Sequence, residues 1–317
     1  MNLRRVVIFA VLSGLLLGTF SGCRKTEESD GPTRLNVLCT FLPVYVMTHN
    51  VVEGIPGLAV HSLLPPNVGC PHNYSMTPAD AALLEEADVL VMNGLGMETF
   101  LEGSPYVNRA GLHLVNASEM IDPIPIEASG AEEPHGDLED VHQLNPHAWV
   151  SPFEAARMTL QIGNRLAEID PEYAEKYARN AAIYAARLDT LGRILVELVS
   201  KGSNRKIVTF HNAYNYLARD LRLDIVAVIQ PESGVEPSAR RLVELIEIIQ
   251  KEKPAAIFSE PQYSDRLARM LSQETGVPLY TLDPAVTGPD DPMSYYNAMV
   301  QNLRVLQRVM ERKPPEE

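Results

Sequence analysis

Seven short apolar runs recur along this chain, and most are followed by a helical pattern. They are "RLNVLCTFL", "LAVHSLL" and "DVLVMNG" in the first half, and "KIVTF", "DIVAVIQ", "AAIFSE" and "VPLYTLD" in the second. The helical partners include "PVYVMTHNVVEG", "TPADAALLEEA", "EPSARRLVELIEIIQKEK" and "SYYNAMVQNLRVLQRVMER". Strand and helix in alternation leave few options: a parallel sheet whose crossovers are the helices. Thr77 is placed to cap one helix with Pro78 at its first position, and Ser151 and Pro152 repeat that order. Between the two halves runs Pro171–Ser200, where Tyr173, Tyr177, Tyr184, Leu188, Leu191, Leu195 and Leu198 fall at helical spacing. As a continuous helix it would be roughly 45 Å long at 1.5 Å per residue. That length suits part of a coiled coil or a strut running along two domains, and the fold class expected is α/β, with two parallel-sheet lobes joined by a long linker helix.

The ends and the gaps divide the chain further. "MNLRRVVIFAVLSGLLLGTFSGC" has Arg4 and Arg5, an apolar run, then small residues before Cys23. That is the layout of an export signal, and the run is short for a membrane span. Its last four residues resemble a lipobox with Cys23 as the lipidated residue, although Phe20 replaces the usual aliphatic. The expected organisation is a signal over 1–22, a flexible tether over 23–33, a first lobe over 34–170, a linker helix over 171–201 and a second lobe over 202–317. Within the first lobe, 122–145 carries seven carboxylates and no Lys or Arg, and reads as a mobile acidic loop. The net charge of −14 argues against nucleic acid and against anionic membranes bound by charge alone. Membrane contact is expected only through the lipid.

Ligand-type residues gather just beyond the strands. His72 lies in the turn after "LAVHSLL", His147 in "NPHAWVSP" before a helix, and His211 directly after "KIVTF". Glu260 follows "AAIFS" and Asp283 follows "VPLYTL". In open parallel sheets the carboxyl ends of the strands form the ligand crevice. Gaps of 75, 64 and 72 residues between His72, His147, His211 and Asp283 exclude a finger-like structural site, which uses closely spaced ligands. Each residue also has a plain reading: His72 as a loop histidine, His147 packed on Trp149, Asp283 and Glu260 as turn residues before proline.

"GCPHNYSMTPAD", "NPHAWVSP", "VTFHNAYNYLA", "IFSEPQYS" and "LYTLDPAV…SYYNAMVQNL" resemble, in order and spacing, the signature segments of the zinc/manganese-binding solute receptor lipoproteins of bacterial metal ABC importers. The resemblance covers nearly all of the chain after Cys23. It implies two lobes, a rigid helix, one divalent metal between the lobes, and His72, His147, His211 and Asp283 as its ligands. A histidine at the third position implies Zn²⁺ over Mn²⁺, in line with the preference of imidazole-rich sites. Glu260 is placed to hold a ligand histidine from behind. The partner implied is the membrane permease of an ABC importer, and the receptor is expected to act as a monomer.

Two departures from the family pattern stand out. Zinc receptors often carry a histidine-rich loop before the second ligand. Here that loop is acidic, with only His135 and His142, which keeps a manganese or iron receptor open as an alternative. The other departure is Cys70, two residues before His72. Cys39 ends the first strand, and an exported pair is expected to form a Cys39–Cys70 disulfide rather than leave a thiolate beside the metal. Two readings from other classes compete. A secreted zinc hydrolase would use Glu260 as general base, although the chain has no His-Glu-x-x-His pair. In a surface adhesin the histidines would be incidental.

Overall fold

The computed structural model describes residues 33–71, 74–126, 144–230 and 236–312. His72, Cys23, the signal and nearly all of the tether, and residues 127–143 of the acidic loop, with His135 and His142, lie outside the described residues. Among the described residues no helix is long and apolar enough to cross a membrane.

Two four-stranded parallel sheets form the frame. The first holds β1 (Leu35–Cys39), β2 (Leu58–Ser62), β3 (Val89–Met92) and β4 (His113–Asn116) in the order β2-β1-β3-β4. The second holds β5 (Lys206–Thr209), β6 (Asp224–Val228), β7 (Ala256–Ser259) and β8 (Leu279–Thr281) in the order β6-β5-β7-β8. The two orders are the same. In each sheet the chain steps outward from its first strand, then crosses back to the other side, so each has a switch point between its two central strands. The central strands are also the most buried, with Val89, Leu90 and Val91 in β3 and all of β7 out of water. Continuous apolar runs are what strands covered on both faces require.

Eight α-helices are described: α1 (Leu42–Val51), α2 (Pro78–Glu86), α3 (Pro152–Ile169), α4 (Ala174–Ser200), α5 (Asn215–Leu221), α6 (Ala239–Glu252), α7 (Arg266–Thr275) and α8 (Ser294–Glu311). α2 starts as the sequence predicts: Thr77 Oγ1 accepts from the Asp80 N–H, and Asp80 Oδ2 accepts from the Thr77 N–H in return. This is a reciprocal capping box, and it satisfies two orphan donors of the first turn. α3 differs. Ser151 occupies the cap position but makes no capping bond, because its hydroxyl donates to Asp220 Oδ2 of α5 instead.

α4 is the long helix, 27 residues and about 40 Å, preceded by a single 3₁₀ turn over Pro171–Tyr173. Tyr177, Tyr184, Leu188, Leu191 and Leu195 are buried along one stripe. α4 lies against α3, and the approach is close enough that a Cβ on Gly163 would come within 2.5 Å of Ala181 Cβ. The lobes share more than a connector. One continuous apolar core runs from Val37 and Val91 through Leu188 and Leu195 to Tyr214, Leu282 and Tyr295, while a second, smaller core under α6 and α7 belongs to the second sheet alone. Tyr295 of α8 donates to the Trp149 carbonyl, and Asn50 of α1 donates to the Pro292 carbonyl. Both bonds cross between the lobes.

The expected Cys39–Cys70 disulfide is absent. Cys39 ends β1 with its side chain fully buried, and burial pushes its thiol up to about 12. Cys70 faces the histidines instead, with its Sγ 3.4 Å from His147 Nε2.

Candidate metal centre

The loops that follow the central strands bring the site together. β5 ends at Thr209, and two residues later His211 enters the crevice at the switch point of the second sheet. β7, its neighbour across that switch, ends at Ser259 and delivers Glu260. His211 Nδ1 donates to Glu260 Oε1 at 2.5 Å, with both side chains almost entirely buried. The second Glu260 oxygen accepts from Gln262 Nε2 at 2.7 Å. The carboxylate therefore fixes the proton on Nδ1 and turns the lone pair of Nε2 outward. Among the described residues that Nε2 is buried without a hydrogen-bond partner.

His147 arrives from the first lobe and is fixed in the same way by an amide. Asn145 Oδ1 accepts from both the His147 N–H (3.0 Å) and Nδ1–H (2.9 Å), while Asn145 Nδ2 donates to the Asn212 carbonyl (2.7 Å). The bond to Asn212 settles which end of the amide faces the imidazole, and so settles the tautomer. Nε2 of His147 is the acceptor nitrogen. Asn145 thus ties the loop of one histidine to the loop of the other. The Asn145 backbone is itself clamped, donating to the Ile124 carbonyl and accepting from Tyr216. Behind the His147 loop, Asn93 at the end of β3 donates to the Pro146 carbonyl. The Asn93 N–H and the Thr40 hydroxyl both donate to the buried Glu98 carboxylate. The ring of His147 also lies 5.2 Å from the Trp149 ring, so it is both packed and poised.

The two imidazoles stand 5.1 Å apart, nearly perpendicular. One ring nitrogen from each and Cys70 Sγ lie within 4.8 Å of one another. Cys70 is carried by the turn after β2, where Gly69 holds φ +85°. Beyond that turn Tyr74 donates to Asp80 Oδ2 at the head of α2, which anchors the loop. A cleft lined by Val68, Gly69, Tyr74, Gln262, Tyr263 and Thr287 opens onto Cys70.

Asp283 is not in that group of three, although it is near. It follows β8, and its Oδ1 accepts from the Ala285 N–H at 2.8 Å. Its backbone is held by the Asn302 amide of α8 through two bonds, and the next residue's carbonyl accepts from Trp149 Nε1. Burial and the nearby Glu260 charge raise the Asp283 carboxyl above the ordinary range, against the opposing Ala285 N–H. The imidazole lone pairs and the partly buried Asp283 carboxylate are the chemistry that a borderline divalent ion selects.

Sequence reasoning named His147, His211, Asp283 and Glu260; the structure gathers His147 and His211 with Cys70, backs His211 with Glu260, and leaves Asp283 outside the group of three. It missed Asn145, Gln262 and Asn302. Asn145 had one signal, its place two residues before His147 in "NPHAWVSP". Asn302 had none, since it lies 19 residues from Asp283 on another element.

The chain matches the family described as "Zinc-uptake complex component A periplasmic" over residues 37–309. It is 30% identical to the zinc-binding lipoprotein AdcA of Streptococcus pneumoniae over 97% of this chain, but spans only 62% of that relative's length. It is 29% identical to the high-affinity zinc uptake system protein ZnuA of Bacillus subtilis, over 94% of this chain and 95% of that one. Among solved structures it resembles the solute-binding protein FpvC of Pseudomonas aeruginosa in complex with Ni²⁺, with a TM-score of 0.76 and 27% identity, over 90% of this chain and 99% of that one. Match and fold agree over both lobes and the helix between them: the chain belongs to the periplasmic zinc-uptake component A family.

Proposed function

We propose that this protein captures a divalent transition metal, Zn²⁺ foremost, outside the cytoplasm and passes it to the membrane permease of an ABC importer. The observation that carries the reading is the pair of buried imidazoles, each locked on its Nδ1 side by an acceptor from its own lobe, with both Nε2 lone pairs turned toward one point. His72 and Asp283 complete the ligand set in this proposal, so that each lobe supplies two ligands. Cys23 carries the lipid that keeps the receptor beside its permease. Mn²⁺ and iron are the alternative cargoes. The Ni²⁺ bound by FpvC is a reminder that this fold holds more than one cation.

Binding exchanges protons for metal at the imidazoles, so affinity falls as pH drops through the histidine range. A hydrolase would need a free base near the ion. Glu260 is spent on His211 Nδ1 and Gln262, behind the imidazole rather than beside an open metal position. Elemental analysis of the full chain purified without chelator, followed by competition between Zn²⁺ and Mn²⁺, tests the reading. One equivalent of zinc that is lost in both His147→Ala and His211→Ala is expected. Metal content unchanged in both variants would leave the histidines incidental, as in an adhesin, and preferential Mn²⁺ retention would change the cargo.

A further inference from the structure

We propose that Cys70 is itself a metal ligand, a thiolate that joins His147 and His211 around the ion in the place expected for His72, so that the shell stays four-coordinate with Asp283. The inference rests on the metal-receptor reading and deepens it.

The argument is geometric. A tetrahedral Zn²⁺ holds a thiolate at about 2.3 Å and an imidazole nitrogen at about 2.0–2.1 Å, which places sulfur and nitrogen roughly 3.6 Å apart. Cys70 Sγ and His147 Nε2 are 3.4 Å apart. His211, 3% exposed, closes the triangle within the same 4.8 Å, and its Nε2 has no hydrogen-bond partner among the described residues. The backing bonds to Asn145 and Glu260 leave each imidazole presenting a lone pair to the point the sulfur also faces. Without the ion, the thiol proton bridges Sγ and His147 Nε2. On binding, the ion takes that place, forming one bond to sulfur and one to nitrogen, and the proton leaves to solvent.

Position adds to the geometry. Both histidines are nearly sealed from water, whereas Cys70 is partly exposed at the floor of the cleft lined by Gly69, Tyr74 and Gln262. Cys70 is therefore the donor of this group that an entering ion meets first. Cys39 does not compete, since it is fully buried at the end of β1. A soft sulfur donor favours Zn²⁺ over Mn²⁺, so Cys70 offsets the scarcity of histidine in the acidic loop as a source of zinc preference.

X-ray absorption at the zinc edge of the full chain loaded with one equivalent of Zn²⁺ tests this, alongside Cys70→Ser and Cys70→Ala. The wild type should show one sulfur scatterer at about 2.3 Å that is missing from both variants. The Co²⁺-loaded wild type should show a sulfur-to-cobalt charge-transfer band in the near ultraviolet, likewise lost. Zn²⁺ affinity should fall about tenfold or more in Cys70→Ser with Mn²⁺ affinity little changed, as expected when a soft donor is removed. A stoichiometric zinc site with only nitrogen and oxygen neighbours overturns the inference while the receptor reading stands. A chain that retains no zinc overturns both.

Discussion

Replacing Glu260 by glutamine isolates the one buried carboxylate that holds a candidate ligand without touching the ion. Glu260 Oε1 accepts from His211 Nδ1 at 2.5 Å, and its Oε2 accepts from Gln262 Nε2 at 2.7 Å. In Glu260→Gln the amide oxygen still accepts from Nδ1–H, so the tautomer survives. The new amide nitrogen would face the Gln262 nitrogen, donor against donor. Among the described residues Gln262 Oε1 is buried without a partner, so a flip of the Gln262 amide turns that clash into a hydrogen bond. The loss that remains is charge. A hydrogen bond to a charged group contributes about 1.5–3 kcal/mol against about 1 kcal/mol for a neutral one. The difference of roughly 0.5–2 kcal/mol is expected only when the imidazole is polarised by the ion. Zn²⁺ affinity should therefore fall about tenfold, at the lower end of what loss of an outer partner costs. The metal-free melting temperature should hold or rise, because a buried charge is gone. Competition with a chromophoric chelator measures the first, and calorimetry of the apo protein the second. Affinity unchanged within about twofold would refute the claim that Glu260 tunes the ligand. A collapse in apo stability would show that its role is to hold the fold.

Two further outcomes follow from burial and packing. Asp283 has its carboxyl raised in the fold, so the folded state holds its proton at pH values where the unfolded chain has released it; apo stability contributed by this group falls as pH rises through that window. Asp283→Asn should remove that slope and raise the apo melting temperature near neutrality while weakening metal binding, and melts across the acid-to-neutral range read it out. Gly163→Ala sets a helix-propensity gain of about 1 kcal/mol against a Cβ that would lie 2.5 Å from Ala181 Cβ, which is fixed to the α4 backbone and cannot move aside. Overpacking of this kind costs about 1–3 kcal/mol, so a net loss of stability is expected in denaturant melts, with metal affinity per folded molecule unchanged.

What the sequence revealed and what it hid divide along physical lines. The seven apolar runs are legible as strands because central parallel strands are buried on both faces and must be apolar throughout. β4 was not legible: "HLVN" is four residues at a sheet edge with only Val115 buried, and its pairing comes from β3 rather than from its own composition. The crevice was legible because strand ends and switch points follow from topology, and His211 and Glu260 flank one. The cysteines were misread. Strand order correctly put Cys39 and the turn bearing Cys70 on adjacent strands, but neighbouring backbones do not decide where side chains point. Cys39 turns into the core, and the Gly69 turn sends Cys70 toward His147. Ser151 is a similar case. Local sequence marks it as a cap, while Asp220, 69 residues away, takes its hydroxyl.

The same tertiary bonds bear on how a bound ion could leave. A hinge that opened the lobes by bending at one connector is not what this chain offers. α4 lies along α3 at backbone-to-side-chain contact through Gly163, and the apolar core continues from one sheet into the other. Wide opening would expose Trp149, Tyr214 and Tyr295, each almost fully buried, at a cost of about 1.5–3 kcal/mol for each large side chain. It would also break the Tyr295 bond to the Trp149 carbonyl and the Asn145 bond to Asn212. The Asp283 loop is held to its own lobe by Asn302 and by the Tyr214 bond to the Leu282 carbonyl, and to the first lobe by the bond from Trp149 Nε1 to Pro284. The turn bearing Cys70 is held at its base by Tyr74 and lies open to the cleft. Displacing those two loops would withdraw the proposed ligands Asp283 and Cys70 while His147 and His211 stay in place. Release by loop withdrawal therefore costs less than release by lobe separation, and a partner that grips the cleft rim would need only to pull on those loops.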